Sequence, residues 1–95
     1  MAVMLVVIDK TKRSIILSKE RWQHILERHP DVSSLDLIRD TLENPSLIKQ
    51  DKFDEILNYY YKYIKEKHRY LLVAVKYLNG KGFILTSFFT RSIRK

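Results

Sequence analysis

Apolar residues recur along this chain at two periods, and the switches between them divide it into elements. Residues 3–9 are an apolar run that reads as a strand, residues 9–13 as a polar turn, and residues 14–17 as a second short strand. From Lys19 the period lengthens. Trp22, Ile25, Leu26 and His29 fall at i, i+3, i+4 and i+7, one apolar stripe of a helix. Ser18 stands where an N-cap belongs, and Pro30 stops the helix at His29, because a residue before proline is pushed out of the α region. Ser33, with Asp36 three residues on, predicts the cap of a second helix. Leu35, Ile38 and Leu42 form its stripe, and Asn44-Pro45 its end.

After Pro45 the period becomes two. Strands are predicted over residues 46–50, 55–65, 70–78 and 83–90. The last turn, Asn79-Gly80-Lys81-Gly82, carries the strongest short hairpin signal, Asn-Gly. Alternation sets Tyr59, Tyr61 and Tyr63 on one face, with Tyr60 and Lys62 on the other. On the final strand it groups Ile84 with Thr86, Phe88 and Thr90. The order ββααββββ predicts an α+β fold: an N-terminal β segment and a two-helix hairpin packed on a four-stranded antiparallel sheet, with residues 1–95 as one domain.

Composition narrows the chemistry. There is no cysteine, which excludes disulfides, thiolate catalysis and cysteine-based zinc sites and fits a cytoplasmic protein. The apolar N-terminal run is too short for a signal or membrane segment. The charge is +7 overall but unevenly spread: residues 1–61 carry 9 basic and 10 acidic side chains, residues 62–95 carry 9 and 1. A basic half on strands is the footprint expected for a polyanion partner. Lys62, Lys76 and Arg91 are the expected phosphate contacts, and Tyr61 among its tyrosines and lysines is an expected stacking surface for single-stranded nucleic acid.

Residues 19–30 hold two of the three histidines, two arginines and the only tryptophan. Arg21, His24 and Arg28 share a face beside the apolar stripe. A histidine, with an unperturbed pKa of about 6.5, both takes and gives a proton near neutrality. Flanked by arginines, it suits chemistry on a phosphate. His29 on the stripe has two readings: a packed helix-end residue or a reactive one. His68, between Lys67 and Arg69, reads as a turn residue. No H-E-x-x-H spacing or carboxylate cluster accompanies the histidines, so no metal or other cofactor is expected.

The pattern W-x-H-I-x-x-R-H-P-D, then N-P-x-x-I, a Y-Y-K strand, a long apolar strand and a last strand reading I-L-T-S-F-F-T resembles the phage-type branch of the barnase–EndoU–colicin–RelE (BECR) nucleases, over roughly residues 19–91. Those proteins are mostly RNA-cleaving toxins or effectors, with N-terminal helices on a four-stranded antiparallel sheet. The resemblance implies His24 and His29 as the helix histidines, Arg28 as the helix arginine, Lys62 as the strand lysine and Thr86 as the last-strand hydroxyl.

The sequence therefore points to a metal-independent endoribonuclease, a toxin of a toxin–antitoxin pair or a mobile-element effector. The ribose 2′-hydroxyl would attack the adjacent phosphate, with His24 as base, His29 or a cation as acid, Arg28 and Lys62 on the phosphorane and Thr86 on a phosphate oxygen. The expected partners are RNA and an acidic antitoxin or immunity protein, with no membrane, and the protein a monomer or homodimer. Two alternatives share these features: a non-catalytic RNA-binding module, and an interaction domain whose basic face binds an acidic protein.

Overall fold

A computed structural model describes residues 2–93. The elements are β1 (Val3–Ile8), β2 (Ser14–Ser18), α1 (Lys19–Arg28), α2 (Leu35–Glu43), β3 (Leu47–Gln50), β4 (Leu57–Ile64), a 3-10 turn (Lys65–Lys67), β5 (Arg69–Leu78) and β6 (Lys81–Thr90). Their order is the one predicted, but the sheet is not. All six strands form one sheet in the order β1-β2-β6-β5-β4-β3. The N-terminal hairpin is part of it, because Ser14, Ile15 and Ile16 pair in parallel with Lys81, Gly82 and Phe83. The sheet is thus six-stranded and mixed rather than four-stranded and antiparallel. Ile15 and Leu17 are fully buried, and joining the open edge of β6 both covers them and satisfies that edge's backbone.

Gly82 makes the junction possible. A Cβ there would lie 2.9 Å from Ile15 Cγ1, 2.9 Å from Val75 Cγ1 and 3.0 Å from the Tyr77 ring. Lys81 and Gly82 therefore belong to β6, and the hairpin turn is only Asn79-Gly80. Both turn residues have positive φ, +53° and +80°, the conformation of a type I′ hairpin.

The helices cover one face of the sheet. Trp22, Ile25, Ile38 and Leu42 pack there on Leu5, Val7, Ile15, Leu17, Tyr60, Leu71, Val73, Val75 and Ile84. The second helix starts one residue later than expected. Ser34, not Ser33, is its cap, and its hydroxyl accepts the Leu37 N–H at 3.1 Å. Asp36 thus lies in the first turn, where it complements the helix dipole instead of closing a capping box. On the other face, Tyr61, Leu72 and Ala74 form a small cluster beneath Tyr59, Tyr70, Leu85, Phe88 and Ile93. A bulge separates these faces on β6: Ala74 pairs with Thr86 but Val75 with Ile84, so Leu85 is an extra residue. Ile84 consequently joins the helix-side core, and Thr86, Phe88 and Thr90 keep the opposite face without it.

The turn between β1 and β2 closes over a buried carboxylate. Asp9 is 3% exposed. It accepts the N–H groups of Thr11 and Arg13 at 3.1 and 2.8 Å, the Thr11 hydroxyl, and the phenol of Tyr60. Tyr77 lies 3.2 Å from the same carboxylate and is hydrogen-bonded to Tyr60. The Arg13 guanidinium stacks 3.6 Å above the Tyr77 ring. This cluster ties the hairpin to β4 and β5. Burial alone would raise the Asp9 carboxyl, but the hydrogen bonds from Tyr60, the Arg13 amide, Thr11 and Tyr77 outweigh it and hold it below the usual carboxylate value. Burial, followed by the bond to Asp9, pushes the Tyr60 phenol far upward.

Two outcomes follow from this packing. Gly82→Ala forces a methyl into Ile15 and Val75, so it should cost about 1–3 kcal/mol in urea unfolding; unchanged stability would show that β2 does not close on β6 this tightly. The Asp9 carboxyl is depressed in the fold, so its stabilisation is complete above the unfolded value near 3.8 and fades as pH falls through the folded one. Tyr60→Phe removes a buried donor and should cost about 1–3 kcal/mol at neutral pH. It should also move the acid-unfolding midpoint to higher pH, measured by circular dichroism, because the carboxylate then protonates more readily. An unshifted acid midpoint would mean that Asp9 does not depend on Tyr60.

Candidate functional site

β2 runs into α1 without a loop. Ser18 ends the strand and caps the helix, its hydroxyl accepting the Arg21 N–H at 3.1 Å. Fixing β2 on β6 therefore fixes α1 as well. Beyond Phe83, β6 has no β2 partner, and α1 packs against this open length of strand. Trp22 and Ile25 are buried as the stripe predicted, with Leu26 and His29 half-buried. Glu20 in the first turn and Arg28 in the last suit the helix dipole.

His29 is the helix C-cap, its N–H donated to the Ile25 carbonyl at 2.7 Å. Its ring meets Phe88 of β6, centroid to centroid 5.4 Å. Phe88 shares its sheet face with Thr86. Towards the start of the helix, Arg21, Ser18, Ile16, Phe83, Ile84 and Leu85 line a hollow of about 190 Å³. A second hollow of about 200 Å³ is lined by Glu20, Arg21 and His24. Arg21 borders both. Arg21, His24 and Arg28 are exposed along α1, and Phe83, Leu85, Thr86 and Phe88 lie along the strand it borders.

The three hydroxyls of β6 differ in what they bind. Ser87 is buried and donates to the Leu72 carbonyl at 2.8 Å. Thr90 donates to the Ser92 carbonyl at 3.1 Å. Thr86 is half-buried and has no hydrogen-bonded side-chain partner among the described residues.

The expected RNA-binding residues do not join this arrangement. Lys62 lies on the helix side of the sheet, where its ammonium contacts Asp40 at 3.3 Å and donates to the Asn44 carbonyl at 3.0 Å. It thereby neutralises the negative end of α2. Lys76 is paired with Asp54 at 3.3 Å. Tyr61 has no exposed surface, so it cannot offer a ring to a base; Tyr59, Tyr70 and Phe88 flank it instead. Arg91 is exposed just past the end of β6, and His68 is exposed in a left-handed turn conformation. Phe88 as the neighbour of His29 had no local signal, since alternation gives a residue's face but not what crosses to it.

Among the described residues no three His, Cys, Asp or Glu side chains gather as a metal-ligand set, and no helix is long and apolar enough to cross a membrane. The buried Asp9–Tyr60–Tyr77 cluster satisfies itself internally and stands on the β1–β2 turn rather than on α1.

No curated protein and no solved structure matches the chain. One family model does, that of the phage-Barnase-EndoU-ColicinE5/D-RelE like nucleases (PBECR2), over residues 4–95. Its span takes in β2, the whole of α1 and all of β6, and on this match the chain belongs to that phage BECR-like nuclease family.

Proposed function

We propose that the protein is an endoribonuclease whose chemistry lies between α1 and β6, acting as a toxin or mobile-element effector. The observation that carries this reading is the alignment of α1 along the open part of β6. The His29 ring lies on Phe88, and on the same helix His24 is exposed beside Arg21, which in turn lines a hollow with Phe83 and Leu85 of the strand that carries Thr86. Two imidazoles, two guanidiniums and a hydroxyl can move protons and hold a phosphate.

In the proposed reaction His24 takes the proton of the ribose 2′-hydroxyl. The 2′-oxygen attacks the adjacent phosphorus, and the bond to the 5′-oxygen breaks. His29 returns a proton to that leaving oxygen. Arg28 and Arg21 stabilise the charge on the phosphorane, and Thr86 donates to a non-bridging oxygen. Lys62, on the helix side with Asp40 and the Asn44 carbonyl as partners, is given no role in this scheme.

Purified protein should cleave single-stranded RNA in EDTA and leave a 2′,3′-cyclic phosphate or its hydrolysis product, read by mass spectrometry of the fragments. Cleavage only with added divalent metal, leaving a 3′-hydroxyl, would overturn the mechanism.

The histidines separate reactive from packing roles. His24 is exposed, so His24→Ala should change stability by no more than about 0.5 kcal/mol, while removal of a general base should slow cleavage about 10²–10⁴-fold. His29→Ala should slow cleavage and, without its ring on Phe88, also destabilise the fold by about 0.5–1.5 kcal/mol. A fully active His24→Ala variant would remove His24 from the chemistry. A less stable His29→Ala variant that keeps its turnover well below its melting temperature would make His29 a packing residue.

A further inference from the structure

With Lys62 and Lys76 engaged, the basic half of the chain must present its charge elsewhere. The end of the sheet where β4 turns into β5 and β6 finishes carries Lys65, Lys67, Arg69 and Arg91. Register brings them together: Ile64 pairs with Arg69, and Tyr70 with Thr90, so the 3-10 turn and residue 91 share one rim. Lys65, Lys67 and Arg91 are exposed and Arg69 is half-buried. None of the four has a carboxylate within 4 Å among the described residues; the ion pairs in this half of the chain belong to Lys62 and Lys76. Lys67 instead rests over the Phe89 ring, 4.9 Å from its centroid. The single acidic residue in this half of the chain is Glu66.

Aromatic surface adjoins this rim. Tyr63 is 44% exposed. Its ring meets Tyr70 across the strands at 5.2 Å, edge to face. Two residues further in, Leu72 pairs with Phe88, on which His29 lies. Tyr63, Tyr70 and Phe88 thus follow one another on the face opposite the helices, from the rim to His29. Lys67 on Phe89 and Arg69 opposite Ile64 stand at the same sheet end on the helix side, so a strand reaching both turns around that end. Cations at an edge with an exposed ring beside them are what an unpaired nucleotide strand requires: charge for its phosphates and a π-face for a base. A duplex keeps its bases stacked inside and has no use for Tyr63.

We propose that this rim is a single-strand RNA-binding subsite, in which Lys65, Lys67, Arg69 and Arg91 hold phosphates and Tyr63 stacks one base, leading the strand to the α1–β6 site. This rests on the ribonuclease reading above.

The test is binding of a fluorescent 2′-O-methyl RNA 12-mer, which lacks the attacking hydroxyl, over a range of salt, alongside cleavage of the unmodified RNA. Lys65→Glu with Lys67→Glu should weaken binding at least about tenfold and flatten the log–log salt slope by about 0.7 for each phosphate no longer neutralised. Tyr63→Ala should weaken binding about 5- to 150-fold, the range for one stacked base. Lys10→Glu with Lys81→Glu, the same charge change at the opposite end of the sheet, should stay within about twofold, because these residues touch no phosphate in the proposed path. Should the Glu pair melt early, Lys65→Gln with Lys67→Gln removes the charges without adding repulsion and is expected to show about half the slope change. Wild type that cleaves RNA, with rim variants binding as wild type does, would overturn the subsite and leave the nuclease reading standing. Equal weakening in rim and control pairs would reduce the effect to net charge and overturn it too. Wild type that neither binds nor cleaves RNA would overturn both.

Discussion

The parallel pairing of β2 with the first residues of β6 is the constraint on which the rest depends. It spans only Ser14–Ile16 against Lys81–Phe83, and Gly82 is the residue that lets Ile15 approach. Everything at the candidate site inherits its position from this pairing. α1 grows out of β2 with Ser18 shared between them. The helix can only lie where the strand points it, which is along β6 after the two strands part. The Asp9 cluster holds the other end of the hairpin by tying it to Tyr60 and Tyr77 on β4 and β5. A short junction and a buried carboxylate thus place the helix that carries His24 and His29 beside a strand that is distant in sequence.

The two sheet faces divide the labour. The helix face holds the larger core and uses its polar residues structurally: Lys62 closes the end of α2, and Asp9 closes the first turn. Among the described residues no helix lies over the other face. Its small cluster of Tyr61, Leu72 and Ala74 is covered by aromatic neighbours and by Ile93 after β6. Its margins, at Tyr63 and along Phe88 and Thr86, therefore keep rings and a hydroxyl near solvent. The Leu85 bulge, which separates Ile84 from Thr86, keeps the strand's apolar residue in the core and its threonine outside it.

Local pattern carried most of the element order. The Trp22–Ile25 stripe, the stop at Pro30, the Asn79-Gly80 hairpin and the opposite faces of Tyr60 and Tyr61 all follow from spacing and turn chemistry, and the structure has them. What escaped was non-local. A three-residue parallel pairing between β2 and β6 has no periodicity of its own, so the hairpin read as a separate segment. Gly82 looked like turn chemistry because its crowding comes from Ile15 and Val75. The bulge is invisible to simple alternation, which therefore groups Ile84 with Thr86. Lys62, Lys76 and Tyr61 stand out in the sequence only by residue type, in a basic, tyrosine-rich stretch. Their actual surroundings depend on Asp40, Asp54 and the residues packed over Tyr61, which sequence spacing does not reveal. A helix face and a family resemblance point to His24, Arg28, His29 and Thr86, and the fold lays that helix along that strand.

The most direct test of this account is where RNA touches the folded protein, read from backbone amide shifts in heteronuclear NMR as a non-cleavable 2′-O-methyl oligonucleotide is added. The account predicts the largest changes at His24, Arg28 and His29 on α1 and at Thr86 and Phe88 on β6. Changes confined to the 51–56 loop or the Asp9 turn, with α1 and β6 unmoved, would contradict it.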